Sequence, residues 1–265
     1  MGFFCCVKLN NLLRFLLVRL GMWVSRWLGE CYSKLYVKFG GELFTFSEAG
    51  EFLSFDRNRL SVAFSRLHSK RLLLVFERGR PRLYRLLDAE NFLFLASGVV
   101  RNVDKIASER YLKLILDCLR VLLKRLDLVS FAVYGSVARG SASPYSDVDI
   151  LLVSDSLEGS LGSRVERLCG VEEAVRGELE WLRRHGVYAS LSFYPLRREE
   201  ARRLPLLFLD LTEEAAILYD RGSFLEATLL EFKMMLLKQG AKRVVVDGGR
   251  WYWDLKPEYR FGERS

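Results

Sequence analysis

Two short segments in the second half of the chain combine residue types that can act on phosphate groups. An apolar run over residues 131–134 leads into Gly135 and Ser136. Glycine lets the backbone approach a ligand closely, and a serine at a helix start adds a hydroxyl and an N–H that suit a phosphate. Asp147 and Asp149 follow, two positions apart, so on a strand their carboxylates project from the same face.

Two like charges on one face of a strand indicate a cation between them, because the carboxylates otherwise repel each other. Ligand sets made only of oxygen atoms suit Mg²⁺. A phosphate cradle beside paired carboxylates is the apparatus of metal-assisted phosphoryl or nucleotidyl transfer. Asp147 and Asp149 are therefore the predicted metal ligands and the predicted catalytic residues.

The wider motif is Gly-Ser, then Arg139-Gly140, then Ser146-Asp147-Val148-Asp149 and an apolar strand. In order and spacing it resembles the nucleotidyltransferase superfamily with the polymerase-beta-type fold, and within it the minimal subgroup of kanamycin-type and toxin–antitoxin-associated enzymes. The resemblance implies two Mg²⁺ ions at the aspartates and transfer of a nucleotide from a nucleoside triphosphate to an acceptor hydroxyl. It makes a helical toxin-like protein a candidate partner. The implied nucleotide-binding residues are Gly135, Ser136, Arg139 and Ser146.

The motif departs from the family pattern at one place, since family members carry a third carboxylate on a later strand. A long helix over residues 164–185, broken near Gly170, leads to the strand expected at residues 187–195. That strand offers Ser190 and Ser192 on one face and no acid. Either an acid enters from elsewhere, or a partner supplies one, or activity is reduced or lost. The candidate acids are Glu199, Glu200 and Asp210.

Neither histidine of the chain is assigned a catalytic role. His185 stands at the expected end of a helix, where it suits a C-terminal cap. His68 lies on a basic helix and shows no carboxylate or nucleophile partner pattern nearby.

The positive charge of the chain is confined to one segment. The sequence has 41 Lys+Arg against 33 Asp+Glu, a net charge of +8. Residues 57–85 hold nine basic residues and one acid, which leaves the rest of the chain neutral. An anionic partner is therefore expected at this segment.

The same segment is similar to a winged helix-turn-helix domain. Residues 44–55 have a helical period with Ser47 as a candidate cap, and Asp56 precedes a second helix over residues 57–70. An apolar strand, a Gly/Pro turn and a return strand follow over residues 72–85. Such domains insert the second helix into the major groove of DNA, although a solvated surface or a docking face remains an alternative. The predicted nucleic-acid contacts are Arg59, Arg66, Lys70, Arg78, Arg80, Arg82 and Arg85.

The length of 265 residues suggests about two domains. The expected architecture is an α/β (α+β) nucleotidyltransferase domain with a mixed sheet, preceded by a winged helix-turn-helix domain. The expected boundaries are an amphipathic helix at 1–30, the winged helix at 31–100, a connecting helix at 101–127 and the transferase at 128–265. For the first helix three interpretations stay open: a core or interface helix, a helix on an anionic membrane surface, or a native start downstream, for example at Met22.

Composition excludes several classes of protein. Half of the residues are hydrophobic and 28% are charged, which excludes a disordered chain. Five cysteines without a CxxC pair argue against a disulfide scaffold or a zinc site, and they favour a reducing cytoplasm. Three arginines interrupt the apolar run over residues 12–28, so no membrane span is expected.

The C-terminal part is expected to add a helix over residues 224–238 and a final hairpin. Its aromatic strand, Trp251 to Trp253, is expected to cover the core, with base stacking as the alternative. The combined prediction is a Mg²⁺-dependent nucleotidyltransferase that binds DNA through its winged helix. The rival is a weak or inactive enzyme that serves as a DNA-binding regulator or antitoxin-like protein and keeps the transferase fold.

Overall fold

The computed structural model describes residues 24–246 and 251–255, and it begins with a unit of three helices and a small sheet. The three strands are antiparallel, in the spatial order β1-β3-β2. The elements of this N-terminal unit are α1 (Arg26–Phe39), β1 (Phe44–Thr45), α2 (Phe46–Leu53), α3 (Arg57–Ser69), β2 (Leu73–Glu77) and β3 (Leu83–Leu86).

Side-chain caps set where α2 and α3 begin. Thr45 and Glu48 form a capping box, in which each side chain accepts a hydrogen bond from the backbone N–H of the other residue. The expected cap at Ser47 is therefore wrong, and residue 47 lies inside the helix. Asp56 caps α3 as predicted, by accepting a hydrogen bond from Arg59 N at 2.9 Å.

Strand β2 is buried on both faces, and this joins the N-terminal unit to the rest of the chain. Leu73 packs into the core of the N-terminal unit, together with α1 and α3. Leu74 and Phe76 point the other way, into the core that surrounds the second sheet. The two units therefore share a continuous apolar contact.

The second unit is built on a four-stranded mixed sheet with helices on both faces. Its strands stand in the order β6-β5-β4-β7; β5 and β6 are parallel, and the other pairs are antiparallel. The elements are α4 (Ala89–Ala96), α5 (Leu112–Arg125), β4 (Leu128–Tyr134), α6 (Gly135–Arg139), β5 (Val148–Ser154), α7 (Leu161–Ala174), α8 (Arg176–Arg184), β6 (Leu191–Leu196), α9 (Arg198–Arg202), α10 (Phe208–Glu214), β7 (Ala216–Asp220) and α11 (Phe224–Lys238).

Side chains alternate between the two faces of the central strands, which explains why helices pack on both faces of the sheet. On β5, Ile150 and Leu152 face the core that contains α5 and α7, while Leu151 and Val153 face the core that contains α10 and α11. The mixed α/β sheet agrees with the expected fold class. Because β4 and β5 lie at the centre, the residues at their adjoining ends are held from both sides.

Several element boundaries differ from the expectation. The long helix before β6 is divided at Val175 into α7 and α8, five residues after the predicted break at Gly170. Helix α11 has the predicted bounds.

The chain ends in a hairpin of β8 (Lys242–Val245) and β9 (Trp251–Asp254). Trp253 packs against the core beside α10, and its indole N–H donates to Leu209 O at 3.1 Å. The tight turn expected between these strands and most of the amphipathic helix expected at residues 1–30 fall outside the described residues. Within the described ranges, no helix is both long and apolar enough to cross a membrane.

Candidate active site

Gly135 stands where the central strand β4 passes into the short helix α6. Its φ of +70° is in the left-handed region that favours glycine. A Cβ at this position would overlap Asp149 Oδ2 and lie 3.2 Å from Asp149 Cγ. The glycine is therefore needed both for the backbone turn and for the close approach of the Asp149 carboxylate.

Asp147 and Asp149 flank the first residue of β5, with Val148 buried between them. Asp149 is paired in register with Tyr134, the last residue of β4. Partial burial and the neighbouring charge of Asp147 raise the pKa of Asp149, against a hydrogen bond from Ser192 that lowers it. The two carboxylates thus lie close enough to repel each other, as the sequence pattern predicts.

The two serines found in place of a third carboxylate contact the aspartates directly. Ser190 Oγ donates to Asp147 Oδ1, and Ser192 donates to Asp149. Ser192 is paired with Asp149 in the parallel register of β5 and β6. The sequence placed both serines on one face but did not reveal these contacts, because the register between the strands is not visible in either strand alone.

The candidate acids do not complete the site. Glu200 binds the Arg164 guanidinium, which with the Arg197 N–H lowers the pKa of Glu200 to about 2. Asp210, on α10, lies near enough to Tyr134 to contribute, after burial and Asp149, to raising the pKa of that phenol to about 12. Among the described residues, no three His, Cys, Asp or Glu side chains form a group that could hold a metal ion.

The side chains of the other motif residues have partners outside the carboxylate pair. Arg139, at the end of α6, forms an ion pair with Glu214 and lies close enough to Asp149 to lower its pKa. Gly140, with φ +85°, packs against Ala107. Ser146 Oγ accepts from Ser143 N at 2.8 Å and shapes the loop before β5.

A divalent cation fits the charge and the donor types of this site. Two carboxylates and two hydroxyls supply oxygen atoms, the donor type that Mg²⁺ prefers. A cation between Asp147 and Asp149 would remove the repulsion that raises the Asp149 pKa. Asp147 and Asp149 are thus the residues that would hold it.

The predicted nucleic-acid residues divide into an exposed group and one buried residue. Arg59, Arg66, Arg78, Arg80 and Arg82 are exposed, and Lys70 is half-buried. We call the three exposed arginines of the β2–β3 turn, Arg78, Arg80 and Arg82, the wing arginines.

Arg85 does not belong to that surface, which corrects the prediction. Its side chain is 4% exposed and forms two hydrogen bonds to Glu178 of α8, at 2.5 and 2.9 Å. The guanidinium also lies 3.3 Å from the centre of the Trp181 ring and donates to Gly41 O. A residue at the end of β3 therefore ties the N-terminal unit to the transferase unit.

His68 has a carboxylate partner in the fold, although none is near it in the sequence. His68 Nε2 lies 2.8 Å from Oε1 of Glu109, which also pairs with Arg71 at 2.6 Å and accepts from Val75 N at 2.8 Å. This is a second polar contact between the two units. His185 follows the last residue of α8, and its Nδ1 lies 2.8 Å from Trp181 O, as expected of a cap.

Comparison with known proteins assigns this part of the chain. The family model described as Nucleotidyltransferase domain matches residues 112–201, which contain the complete motif and both serines. A protein of Methanocaldococcus jannaschii, named provisionally as a protein adenylyltransferase, is 30% identical over 110 residues, 42% of this chain and 71% of the relative. The chain belongs to the nucleotidyltransferase domain family.

A solved structure also aligns with part of this chain. A crystal structure described as a toxin-antitoxin with AMP-PNP aligns with a TM-score of 0.30 and 14% identity, over 47% of this chain and 90% of the other. In the family, the substrate is a nucleoside triphosphate. The matched region begins at α5, so this helix belongs to the nucleotidyltransferase match.

Proposed function

We propose that the chain transfers a nucleoside monophosphate from a nucleoside triphosphate to an acceptor hydroxyl, with Mg²⁺ as cofactor. The observation that carries this proposal is the packing of Asp149 between Gly135 and Ser192, with the Asp147 carboxylate beside it. The name of the M. jannaschii relative supports adenylate as the transferred group and a protein as one acceptor class.

Each motif residue has a distinct role in this proposal. Asp147 and Asp149 hold the metal, which when bound neutralises phosphate charge and polarises the phosphoryl oxygens. Gly135 and Ser136 offer close backbone access to the triphosphate. Arg139 and Ser146 contribute to nucleotide binding, Ser146 through the shape of its loop.

The reaction is an in-line displacement at the α-phosphate. The acceptor oxygen forms the new P–O bond as the bond to the pyrophosphate oxygen breaks, and the acceptor proton is lost to solvent or to a neighbouring base. Positioning and charge stabilisation supply most of the rate increase in such reactions. Ser192 hydrogen-bonds Asp149 and can orient that carboxylate, but it adds no charge.

The decisive experiment uses α-labelled nucleoside triphosphates, Mg²⁺ and a cell lysate that contains RNA, proteins and small molecules. The double variant Asp147→Asn/Asp149→Asn should lose all transfer of label, since the remaining site has no anionic ligand. The matched control is Asp104→Asn/Asp155→Asn, which removes the same number of negative charges at exposed positions away from the site. Equal labelling by the wild type and the first variant would refute the site.

We propose in addition that the N-terminal unit is a winged helix that binds DNA. The order α1-β1-α2-α3-β2-β3, with a three-stranded antiparallel sheet, supports this proposal. The wing arginines are exposed on the β2–β3 turn, and Arg59 and Arg66 are exposed on α3. These positions suit phosphate contacts on one duplex.

Removal of wing charge tests DNA binding. Arg80→Ala/Arg82→Ala should weaken binding to any duplex and reduce the slope of log K against log salt by about 0.9 for each phosphate that the wing no longer neutralises. Arg167→Ala/Arg203→Ala removes the same charge from exposed positions elsewhere and should leave the slope unchanged. An unchanged slope in the wing variant would exclude the wing as a DNA contact.

The serines at positions 190 and 192 favour one second candidate, a regulator that binds a nucleotide without transferring it. In that case the wild type would bind Mg²⁺ and nucleoside triphosphate but label no fraction of the lysate. DNA binding that changes on addition of the nucleotide would support the regulator. Label on any acceptor would exclude it.

A further inference from the structure

Two tyrosines form an exposed stacked pair beside the candidate active site. The Tyr145 and Tyr188 rings are nearly parallel, with an angle of 8° between them and 5.1 Å between their centres. Their residues are 74% and 50% exposed, so much of each side chain is open to solvent. Tyr188 N donates to Pro144 O at 2.7 Å, which joins the two segments that carry the rings.

Both tyrosines lie close in sequence to residues at the Asp147 carboxylate. Tyr145 lies two residues before Asp147 in the loop that enters β5. Tyr188 lies two residues before Ser190, whose hydroxyl donates to Asp147. A ligand stacked on the pair would therefore be close to the reacting groups.

The pair also lies on a defined side of the site. The sheet order β6-β5-β4 puts Gly135 and Ser136 at the end of β4, on one side of the β5 carboxylates. Tyr188 precedes β6, on the other side. The tyrosine pair is thus separated by the carboxylates from the residues proposed to bind the triphosphate.

A cleft with positive side chains opens next to Tyr188. Its volume is about 360 Å³, within the range of small-molecule sites. It combines apolar and charged surface. Arg176 forms an ion pair with Glu173 beside the cleft, whereas among the described residues no acid pairs with the exposed Arg183. The lining residues are Arg176, Leu179, Glu180, Arg183, Tyr188 and Ala189.

We propose that Tyr145 and Tyr188 form a nucleobase-binding platform, with Arg183 positioned for an adjoining phosphate. Flat aromatic faces stack on any nucleobase, and nearby arginines attract the phosphate backbone. A peptide ring could also stack, but Arg183 favours a ligand that carries phosphate. This inference rests on the proposed function, since it names the chemistry of the ligand at the same site.

The nucleobase can come from two sources, and two fluorescent probes separate them. One is 2-aminopurine riboside triphosphate with Mg²⁺, which stands for the donor nucleotide. The other is a single-stranded tetranucleotide with 2-aminopurine at its 3′ end, which stands for a nucleic-acid acceptor. Stacking of 2-aminopurine quenches its fluorescence, so the signal reports contact with the rings. The tetranucleotide is tested in the Arg80→Ala/Arg82→Ala background, so that the wing does not compete.

Removal of the rings should abolish quenching and weaken binding of at least one probe. Tyr145→Ala/Tyr188→Ala should reduce its affinity by about 5- to 150-fold, as expected when base stacking is removed. Tyr145→Phe/Tyr188→Phe retains the rings and should behave like the wild type. Because both side chains are exposed, the alanine variant should keep the wild-type thermal midpoint, which is measured alongside.

The outcomes separate this inference from the proposed function. If neither probe distinguishes the alanine variant from the wild type, the platform is wrong. Loss of labelling of a lysate protein in that variant, with both probes unaffected, would assign the rings to a peptide instead. If a probe depends on the rings but the wild type transfers no label, the platform stands and the transferase function fails.

Discussion

Carboxylates in two regions of the molecule have opposite surroundings. Between the units, Glu178 is 7% exposed and faces Arg85 and Lys113, while Glu109 is 8% exposed and faces Arg71 and His68. At the candidate active site, two carboxylates face each other and two serine hydroxyls.

The difference separates charges that hold the fold from charges that are available for chemistry. A buried carboxylate is tolerated when cations and hydrogen-bond donors surround it, and then it fixes the relative position of two elements. A pair of carboxylates that repel each other adds no stability, so its presence points to a ligand. The same residue type thus acts as a structural clamp in one region and as a candidate metal ligand in the other.

The largest effect on the free energy of unfolding is expected from removing one partner of the buried Arg85–Glu178 ion pair. Glu178→Ala leaves the Arg85 guanidinium buried and without its carboxylate, which should lower the free energy of unfolding by about 3–5 kcal/mol. Urea unfolding at neutral pH measures this change. The control Glu30→Ala removes an exposed partner of Arg26 and should cost less than about 1 kcal/mol.

A double variant separates the charge of the Arg85–Glu178 ion pair from its packing. Arg85→Met/Glu178→Leu removes both charges and should recover most of the stability lost in Glu178→Ala. A loss below about 1 kcal/mol in the single variant would mean that the ion pair does not hold the units together.

At the active site, the next largest effect is expected from a methyl group at Gly135. Gly135→Ala should reduce nucleotide transfer by about 100-fold, because the new Cβ displaces the Asp149 carboxylate. Gly186→Ala is the matched control, since Gly186 also has a positive φ of +77° but, apart from its chain neighbours, nothing lies within 4 Å of the position that its Cβ would take. Equal losses in the two variants would show that backbone strain, rather than contact with Asp149, explains the effect.

Local sequence patterns predicted the active site better than the interface. The strand before Gly135, the turn it makes and the shared face of Asp147 and Asp149 all follow from residues that are neighbours in sequence. The backbone conformations that glycine favours and the alternation of side chains along a strand depend on only a few neighbouring residues, so both can be predicted from the sequence. The contacts of Ser190 and Ser192 were missed because they depend on strand register.

The interface depends on contacts between residues that are far apart in sequence. Arg82 and Arg85 look alike in the sequence, yet the first is exposed and the second binds Glu178, 93 residues away. His68 and Glu109 are separated by 41 residues. Only the docking of the two units brings these pairs together, and no periodic pattern in the sequence predicts how the units dock.

A pH-dependent effect is expected at the other interface carboxylate. Although burial opposes ionisation, hydrogen bonds from Val75 N and His68 and the charge of Arg71 lower the pKa of Glu109. A lowered pKa in the folded state contributes stability that is fully present above the unfolded pKa, about 4.3, and is lost as the pH falls through the folded pKa.

The variant Glu109→Gln measures this contribution. Near pH 7 it should lower the free energy of unfolding by about 1.5–3 kcal/mol, since a hydrogen-bonded charge is lost. Urea unfolding of both proteins between pH 7 and pH 3 should show the difference shrinking below the unfolded pKa. A difference that increases toward low pH would contradict the lowered pKa. Exposed Glu30→Gln is the control.

The smallest predicted effect is an increase in Mg²⁺ affinity when a third carboxylate is placed at residue 192. Ser192 pairs with Asp149 in the sheet and already donates to its carboxylate, so Ser192→Asp would direct a third acid toward the same point. In metal-free buffer the added like charge should lower the thermal midpoint. With Mg²⁺ the thermal midpoint of Ser192→Asp should instead exceed that of the wild type. The metal concentration needed for half-maximal stabilisation should fall by about tenfold, because three carboxylates bind a divalent cation better than two. Ser192→Asn has the same size without the charge and should show neither change. If the two variants respond identically to Mg²⁺, the carboxylates at residues 147 and 149 do not form a cation site, and the contrast with the neutralised interface carboxylates has another cause.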